Sequence, residues 1–174
     1  MRDHKVSYHR ALLLHPSVRQ EAIKGIEACE ALLGPKAAVR IVQGLRTFPE
    51  QDALYAQGRT TPGPIVTNAK GGASLHNYGL AFDFALLYDR DNNGSYEQLS
   101  WSLTEDIDAD KKKDWLEVVE FFETLGWGWG GRWKTKDNPH LEKGFGMTWR
   151  EMLDKYNKGD FIKGTKYLDV STTH

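Results

Sequence analysis

The run Leu80-Ala81-Phe82-Asp83-Phe84-Ala85-Leu86-Leu87 constrains this chain more than any other stretch. It reads as a β-strand, in which successive side chains point to opposite faces. Leu80, Phe82, Phe84 and Leu86 share one face, which must be buried. Ala81, Asp83 and Ala85 share the other, so a carboxylate flanked by two small side chains stands in an otherwise apolar strand. A buried Asp needs a partner to offset its desolvation, and a metal ion is one candidate.

The remaining pattern predicts an α+β fold, with helices packed on a small antiparallel sheet. A helix is expected from Pro16-Ser17 to about Leu33. Ser17 and Gln20 resemble a capping box, and Gly34-Pro35 is a stop signal. Val18, Ala22, Ile26 and Leu33 place one apolar face on it. Ala38 to Leu45 reads as a strand. Thr47 and Glu50 form a second capping-box pattern that starts a short helix through Gln57. Gly58 to Ala73, rich in Gly, Thr and Pro, reads as a loop. Asp89 to Lys113 reads as a long acidic loop with little regular structure. A helix over Trp115 to Leu125, a short strand within Gly126 to Trp133 and a helix over Thr148 to Tyr156 follow.

No repeat or linker divides the 174 residues, so residues 1–174 are expected to form a single domain around one core, with no separate second domain. A formal net charge of -1 argues against a nucleic-acid binder working through bulk positive charge. Cys29 is the single cysteine, so no intramolecular disulfide can form, and its place in an apolar helical pattern marks it as a small core residue. The apolar run Ala11 to Leu14 is too short for a signal-peptide core and no cleavage site follows it. No stretch is long enough to span a membrane. The expectation is a chain made in the cytoplasm without a signal peptide, which another protein must release if its substrate lies outside the cell.

Two further residues give Asp83 its context. His76 precedes the strand, and Asp137-Asn138-Pro139-His140 brings another Asp and His three residues apart. Two histidines and one aspartate, His76, Asp83 and His140, make an N,N,O set suited to Zn²⁺ with a fourth position open. Such a site needs a separate carboxylate to accept a proton from water, and Asp137 is near enough to His140 in sequence to serve. Singly, each residue has another reading: His76 as a loop cap, Asp83 as an ion-pair partner, His140 as a ring stacked on a nearby tryptophan.

Taken in order, Ser-x-His-x-x-Gly-x-Ala-x-Asp and the downstream Asp-x-Pro-His resemble the LAS metallopeptidases, which include the VanY-like D-alanyl-D-alanine carboxypeptidases and the L-alanyl-D-glutamate endopeptidases of phage endolysins. The motifs here are Ser74-Leu75-His76-Asn77-Tyr78-Gly79-Leu80-Ala81-Phe82-Asp83 and Asp137-Asn138-Pro139-His140. The wording around His76 and the Trp129-Gly130-Gly131-Arg132-Trp133 stretch are closer to the endopeptidase branch, and the likeness runs from about Val39 to Trp149. The resemblance implies that His76, Asp83 and His140 hold one zinc ion and that Asp137 is the general base and acid. It implies that Arg46 stabilises the developing oxyanion; a surface ion pair near a helix start is the alternative. Ser74 matches the motif serine and is a candidate for binding substrate. Gln51, Tyr55 and Arg59 are candidates for the cleft wall, a solvated helix face explaining them equally well.

Trp127, Trp129 and Trp133 cluster before His140; two of the three are expected in the core. Two acidic runs have partial calcium-loop spacing. Asp89, Asp91 and Asn93 are followed by Gly94, but Ser100 stands where a bidentate Glu is required. Asp106, Asp108 and Asp110 are followed by Glu117 at the twelfth position, but Lys111 replaces the glycine. Calcium is a candidate in either; a solvated acidic loop accounts for both without an ion.

The expected function is therefore a monomeric zinc-dependent peptidoglycan peptidase that cuts the L-Ala–D-Glu bond of stem peptides, in the manner of an endolysin. Removal of terminal D-Ala is the alternative within the family, and a non-catalytic metal-binding or wall-binding module the alternative outside it.

Overall fold

A computed structural model describes residues 1–171. A π-helical turn, His4–Tyr8, leads into the short α1 (His9–Leu12), and α2 (Pro16–Leu32) follows. Helix α2 begins two residues earlier than a Ser17 cap would place it. Pro16, with its fixed φ, occupies the first helical position, and the ring of His15 accepts the Ser17 N–H in place of a serine box. Strand β1 (Ala37–Gln43) and helix α3 (Phe48–Ala56) come next, the latter opened by the expected Thr47/Glu50 capping box.

Strand β2 (Ala81–Tyr88) is the centre of the sheet. Its one edge pairs antiparallel with β1. Its other edge is shared by β3 (Gln98–Ser100), beside Leu86 to Tyr88, and by β5 (His140–Glu142), beside Ala81 to Asp83. Helix α4 (Asp114–Thr124) and β4 (Gly128–Trp129) lie between them in sequence, and β4 pairs with β5. Helix α5 (Trp149–Lys158) is the last helix among the described residues, with a Thr148/Glu151 capping box and Gly159 in the left-handed region. The fold is α+β, as expected. Strand β3 lies inside the acidic stretch expected to be irregular, and β5 is a strand that local pattern does not reveal.

The apolar face of β2 carries the core. Phe82 packs edge-on against Phe122 of α4 at 5.3 Å and Trp127 at 5.1 Å, and Phe84 stacks on Trp115 at 4.4 Å between ring centroids. Each fully buried aromatic of this kind contributes on the order of 2 kcal/mol. Helix α2 reaches the same layer through Gly25, where an added Cβ would stand 2.8 Å from the Phe122 ring. Cys29 is buried here, and its thiol is pushed up to about 12, first by burial and then by the Glu30 and Glu117 charges.

The N-terminal turn has a job in this architecture. The outer edge of β1 would expose unpaired backbone groups. The Ser7 hydroxyl accepts the Ile41 N–H at 2.9 Å, Glu30 accepts the Val39 N–H at 3.2 Å and Arg10 donates to the Ile41 carbonyl at 2.6 Å. Among the described residues no helix is long and apolar enough to cross a membrane.

Candidate active site

The polar face of β2 opens onto a cleft of about 550 Å³ lined by Arg46, Ser74, His76, Asp83, Trp133, Asp137, His140 and Glu142, with Thr67, Leu75 and Trp149 among its walls. Three elements bring the metal-ligating candidates together. Asp83 and His140 are register partners across β2 and β5, so their side chains leave the same face. His76 arrives from a single 3₁₀ turn, Leu75–Tyr78, ended by Gly79 at φ 69°. An added Cβ on Gly79 would stand 2.8 Å from the His15 nitrogen, so both the turn and the packing require glycine. The motif's other residues hold this turn. The Asn77 amide donates to the Arg46 carbonyl at 2.9 Å and accepts the Gly72 N–H at 2.9 Å, and the Tyr78 hydroxyl donates to the Gly72 carbonyl at 2.6 Å.

His76 Nε2 stands 3.2 Å from Asp83 Oδ1 and 3.1 Å from His140 Nδ1, and His140 Nδ1 stands 3.1 Å from the same Asp83 oxygen. The partners behind the rings fix what these atoms offer. His76 Nδ1 lies 2.8 Å from the Gly44 carbonyl, which only accepts, so Nδ1 carries a proton and Nε2 is the atom turned to the cluster. His140 Nε2 lies 2.9 Å from Glu142 Oε2, which likewise makes Nδ1 the atom turned to the cluster. Three lone-pair donors thus converge on one point and require a cation between them. Ligands about 2.0–2.1 Å from a tetrahedral ion stand roughly 3.3 Å apart, close to the spacing found here. The donor set fits a metal.

Without an ion, protons fill that role. Burial works against a charged His140, but the Asp83 and Glu142 carboxylates outweigh it and raise its pKa to about 9. Burial alone would raise Asp83; the hydrogen bonds and charges of His140 and His76 reverse this and hold it below the ordinary carboxylate range.

Arg46 reaches the other side of Asp83, with Nη2 at 3.9 Å from Oδ2. Burial lowers its pKa, opposed by the charges of Asp83, Glu50 and Asp137. The structure places Gln51 behind Arg46 and not on the cleft wall. Gln51 is fully buried, accepts from Arg46 Nη1 at 2.8 Å and donates to the Ala69 carbonyl at 2.8 Å. Arg59 also stands off the cleft, on the surface, where it donates to the Thr67 carbonyl at 3.0 Å and to Asn68 Oδ1 at 2.8 Å while lying over the Tyr55 ring. Both hold the 67–69 segment, of which Thr67 and Ala69 line the cleft. Ser74 lines it directly.

Asp137 opens into the cleft, and its carboxylate makes no hydrogen bond or ion pair among the described residues. Its pKa is raised by burial and then by Asp83, against the pull of His140, His76 and Arg46. The glycine-rich stretch before it explains its position. The Asp137 N–H donates to the Gly130 carbonyl at 3.0 Å, and an added Cβ on Gly130 would stand 2.5 Å from the Asp137 carbonyl. Trp127 is core and Trp129 half-buried, its indole donating to the Asn138 carbonyl at 2.7 Å. Trp133 is 42% exposed and forms a cleft wall, its ring 5.0 Å from that of His140. Glu142 was not marked by sequence; its alternation with His140 in a short strand was the available signal.

Comparison with known proteins bears on the same residues. The profile of a peptidase family described as D-alanyl-D-alanine carboxypeptidase matches residues 67–143, which include all of His76, Asp83, Asp137 and His140. The peptidoglycan L-alanyl-D-glutamate endopeptidase CwlK of Bacillus subtilis (strain 168) is 51% identical over 131 residues, covering 74% of this chain and 72% of that protein. The chain belongs to the LAS metallopeptidase family. As a LAS metallopeptidase it is a metal-dependent hydrolase, and the His-Asp-His cluster is the group in this cleft whose donor atoms could hold the metal.

Proposed function

We propose that this enzyme is a zinc-dependent peptidoglycan endopeptidase that hydrolyses the L-Ala–D-Glu bond of stem peptides. The observation that carries the reading is the convergence of His76 Nε2, Asp83 Oδ1 and His140 Nδ1, three atoms able to offer lone pairs to one cation, beside an Asp137 carboxylate without a partner among the described residues. His76, Asp83 and His140 would hold the ion. Zinc bound there supplies Lewis acidity, which acidifies water and polarises a carbonyl. Asp137, with a raised pKa and no competing partner, accepts the proton of the attacking water and returns it to the leaving amine. Arg46, braced by Gln51, offers its guanidinium to the developing oxyanion. Glu142 and the Gly44 carbonyl keep the two rings in the tautomers that binding needs.

The endopeptidase specificity rests on likeness to CwlK, named for that bond, and on the cleft's charge. A carboxypeptidase needs a cation for the terminal carboxylate of its substrate. Among the described residues lining this cleft Arg46 is the only arginine or lysine, and it already faces Asp83 and Gln51. Ser74, Trp133 and Trp149 are the surfaces proposed to meet the peptide. We take residues 1–174 as one peptidase unit acting as a monomer on the cell wall, reached through a membrane lesion made by another protein.

The test is mass spectrometry of purified peptidoglycan after digestion, with and without a chelator, beside Asp137→Asn. New amino groups on D-Glu are expected, lost with the chelator and reduced about 10²–10⁴-fold in the variant. Release of free D-Ala would replace this reading with a carboxypeptidase. No cleavage by folded, zinc-loaded protein would leave a binding module.

A further inference from the structure

The acidic loop that leads into α4 contains a feature that the peptidase site does not use. Asp106, Asp108 and Asp110 stand at alternate positions, and the loop turns back on itself. The Asp110 N–H donates to Asp106 Oδ1 at 3.1 Å and the Lys111 N–H to Asp106 Oδ2 at 3.0 Å. The loop at Asp89 makes the same turn, with Asn93 and Gly94 donating to the two Asp89 oxygens at 3.0 Å each. Positive φ at Asn92 and Gly94 is matched by Ala109 and by Lys111 at 77°. Lys111 therefore adopts the conformation that such a loop ordinarily gives to glycine.

The loops part at their twelfth residue. In the first, the Ser100 hydroxyl is engaged by Glu105. In the second, Glu117 lies in the first turns of α4 with its side chain only 7% exposed, and its Oε2 has no hydrogen-bond partner among the described residues. Its other oxygen stands 3.8 Å from the ammonium of Lys112, which stands 3.7 Å from Asp110. Both distances exceed a hydrogen bond, so one exposed lysine is shared between two carboxylates. The same contacts place Glu117 on the Asp110 side, facing the loop. Oxygens of Asp106, Asp108 and Asp114 lie within 4.8 Å of one another. Asp114, fully buried, is already committed to the Tyr88 hydroxyl at 2.7 Å and to the Ile107 N–H. Burial raises the pKa of Glu117, and Asp110, Asp108 and Asp114 add to the effect. Glu117 thus keeps a buried oxygen without a donor among the described residues, beside four other acidic groups, while the Lys112 ammonium stands beyond hydrogen-bond distance and is shared.

We propose that residues 106–117 form a calcium site in which Asp106, Asp108, Asp110 and Glu117 supply side-chain oxygens and Lys112 its carbonyl. Alternating acidic residues with a carboxylate at the twelfth position suit the roughly six to eight oxygens that Ca²⁺ takes, whereas Mg²⁺ demands a stricter octahedron. The ion ties the loop to the start of α4. That helix sets Phe122 against Phe82, next to Asp83, so the site braces the layer behind the catalytic strand.

The experiment titrates CaCl₂ into the full-length, zinc-loaded protein by calorimetry and follows thermal melting in parallel. One ion per chain is expected, with Kd between about 10⁻⁶ and 10⁻³ M. At 100 times Kd, Tm should rise by about 5–11 °C, and Mg²⁺ should bind at least about tenfold more weakly. Glu117→Gln should weaken Ca²⁺ at least about tenfold, whereas Asp91→Asn in the first loop should leave it unchanged. If Glu117→Gln does not fold, Asp108→Asn reads the same site from a less buried position. Absence of binding overturns the proposal, as does binding that survives Glu117→Gln and Asp108→Asn or is lost in Asp91→Asn.

Discussion

Removing Glu142 tests how the site's outer contacts set its affinity for metal. Glu142 Oε2 accepts from His140 Nε2 at 2.9 Å, and Glu142→Ala leaves that nitrogen unpaired. Partners of this kind contribute about 10- to 100-fold in metal affinity, or roughly 1.4–2.7 kcal/mol. The same carboxylate also raises the pKa of His140, which stands at about 9 in the metal-free protein through Asp83 and Glu142 acting against burial. At pH 7, about two units below that value, metal must displace a proton at a cost of roughly 100-fold in apparent affinity. Glu142→Ala relieves part of this cost, so the two effects oppose each other at neutral pH. The expected loss is under about tenfold at pH 7 and the full 10- to 100-fold at about pH 9.5, where the proton no longer competes. The folded pKa of His140 lies above its unfolded value. Its stabilising contribution to the metal-free protein is therefore complete below about pH 6.5 and disappears as pH rises through about 9. In Glu142→Ala that decline should begin at lower pH. Zinc competition against a chromogenic chelator at both pH values, with melting curves of the metal-free proteins, reads these effects. A loss under about twofold at the higher pH, or an equal loss at both, would refute the reasoning.

Two further substitutions probe the scaffold. Gln51→Ala leaves Arg46 Nη1 and the Ala69 carbonyl without partners at a fully buried position, so stability should fall by about 2–4 kcal/mol and kcat by at least about tenfold; denaturant unfolding and turnover check it, and unchanged turnover would remove Gln51 from the support of Arg46. Gly25→Ala should destabilise by about 1–3 kcal/mol although alanine favours helix by about 1 kcal/mol, because its methyl would meet the Phe122 ring at 2.8 Å; a Tm equal to or above the parent would show that the ring yields.

Local chemistry made much of this protein legible in its sequence. The alternation across Leu80 to Leu87 placed Asp83 opposite the core, and Thr47 with Glu50 marked the start of α3, because both signals depend on near neighbours in the chain. Strand β5 stayed hidden since three residues carry no measurable period, and it exists by pairing with β2, 57 positions away at Asp83 and His140. Ser17 looked like a cap, but Pro16 and the His15 ring set the helix start. Residue types and motif order determined the candidate ligands, the base and the family. Only the tertiary structure decided that His76 and His140 turn these nitrogens to Asp83, that Gln51 supports Arg46 from behind, and that Glu117 has a buried oxygen without a partner among the described residues. Each of these depends on which groups distant in sequence meet in space, and burial then determines the charge and hydrogen-bonding state of each group.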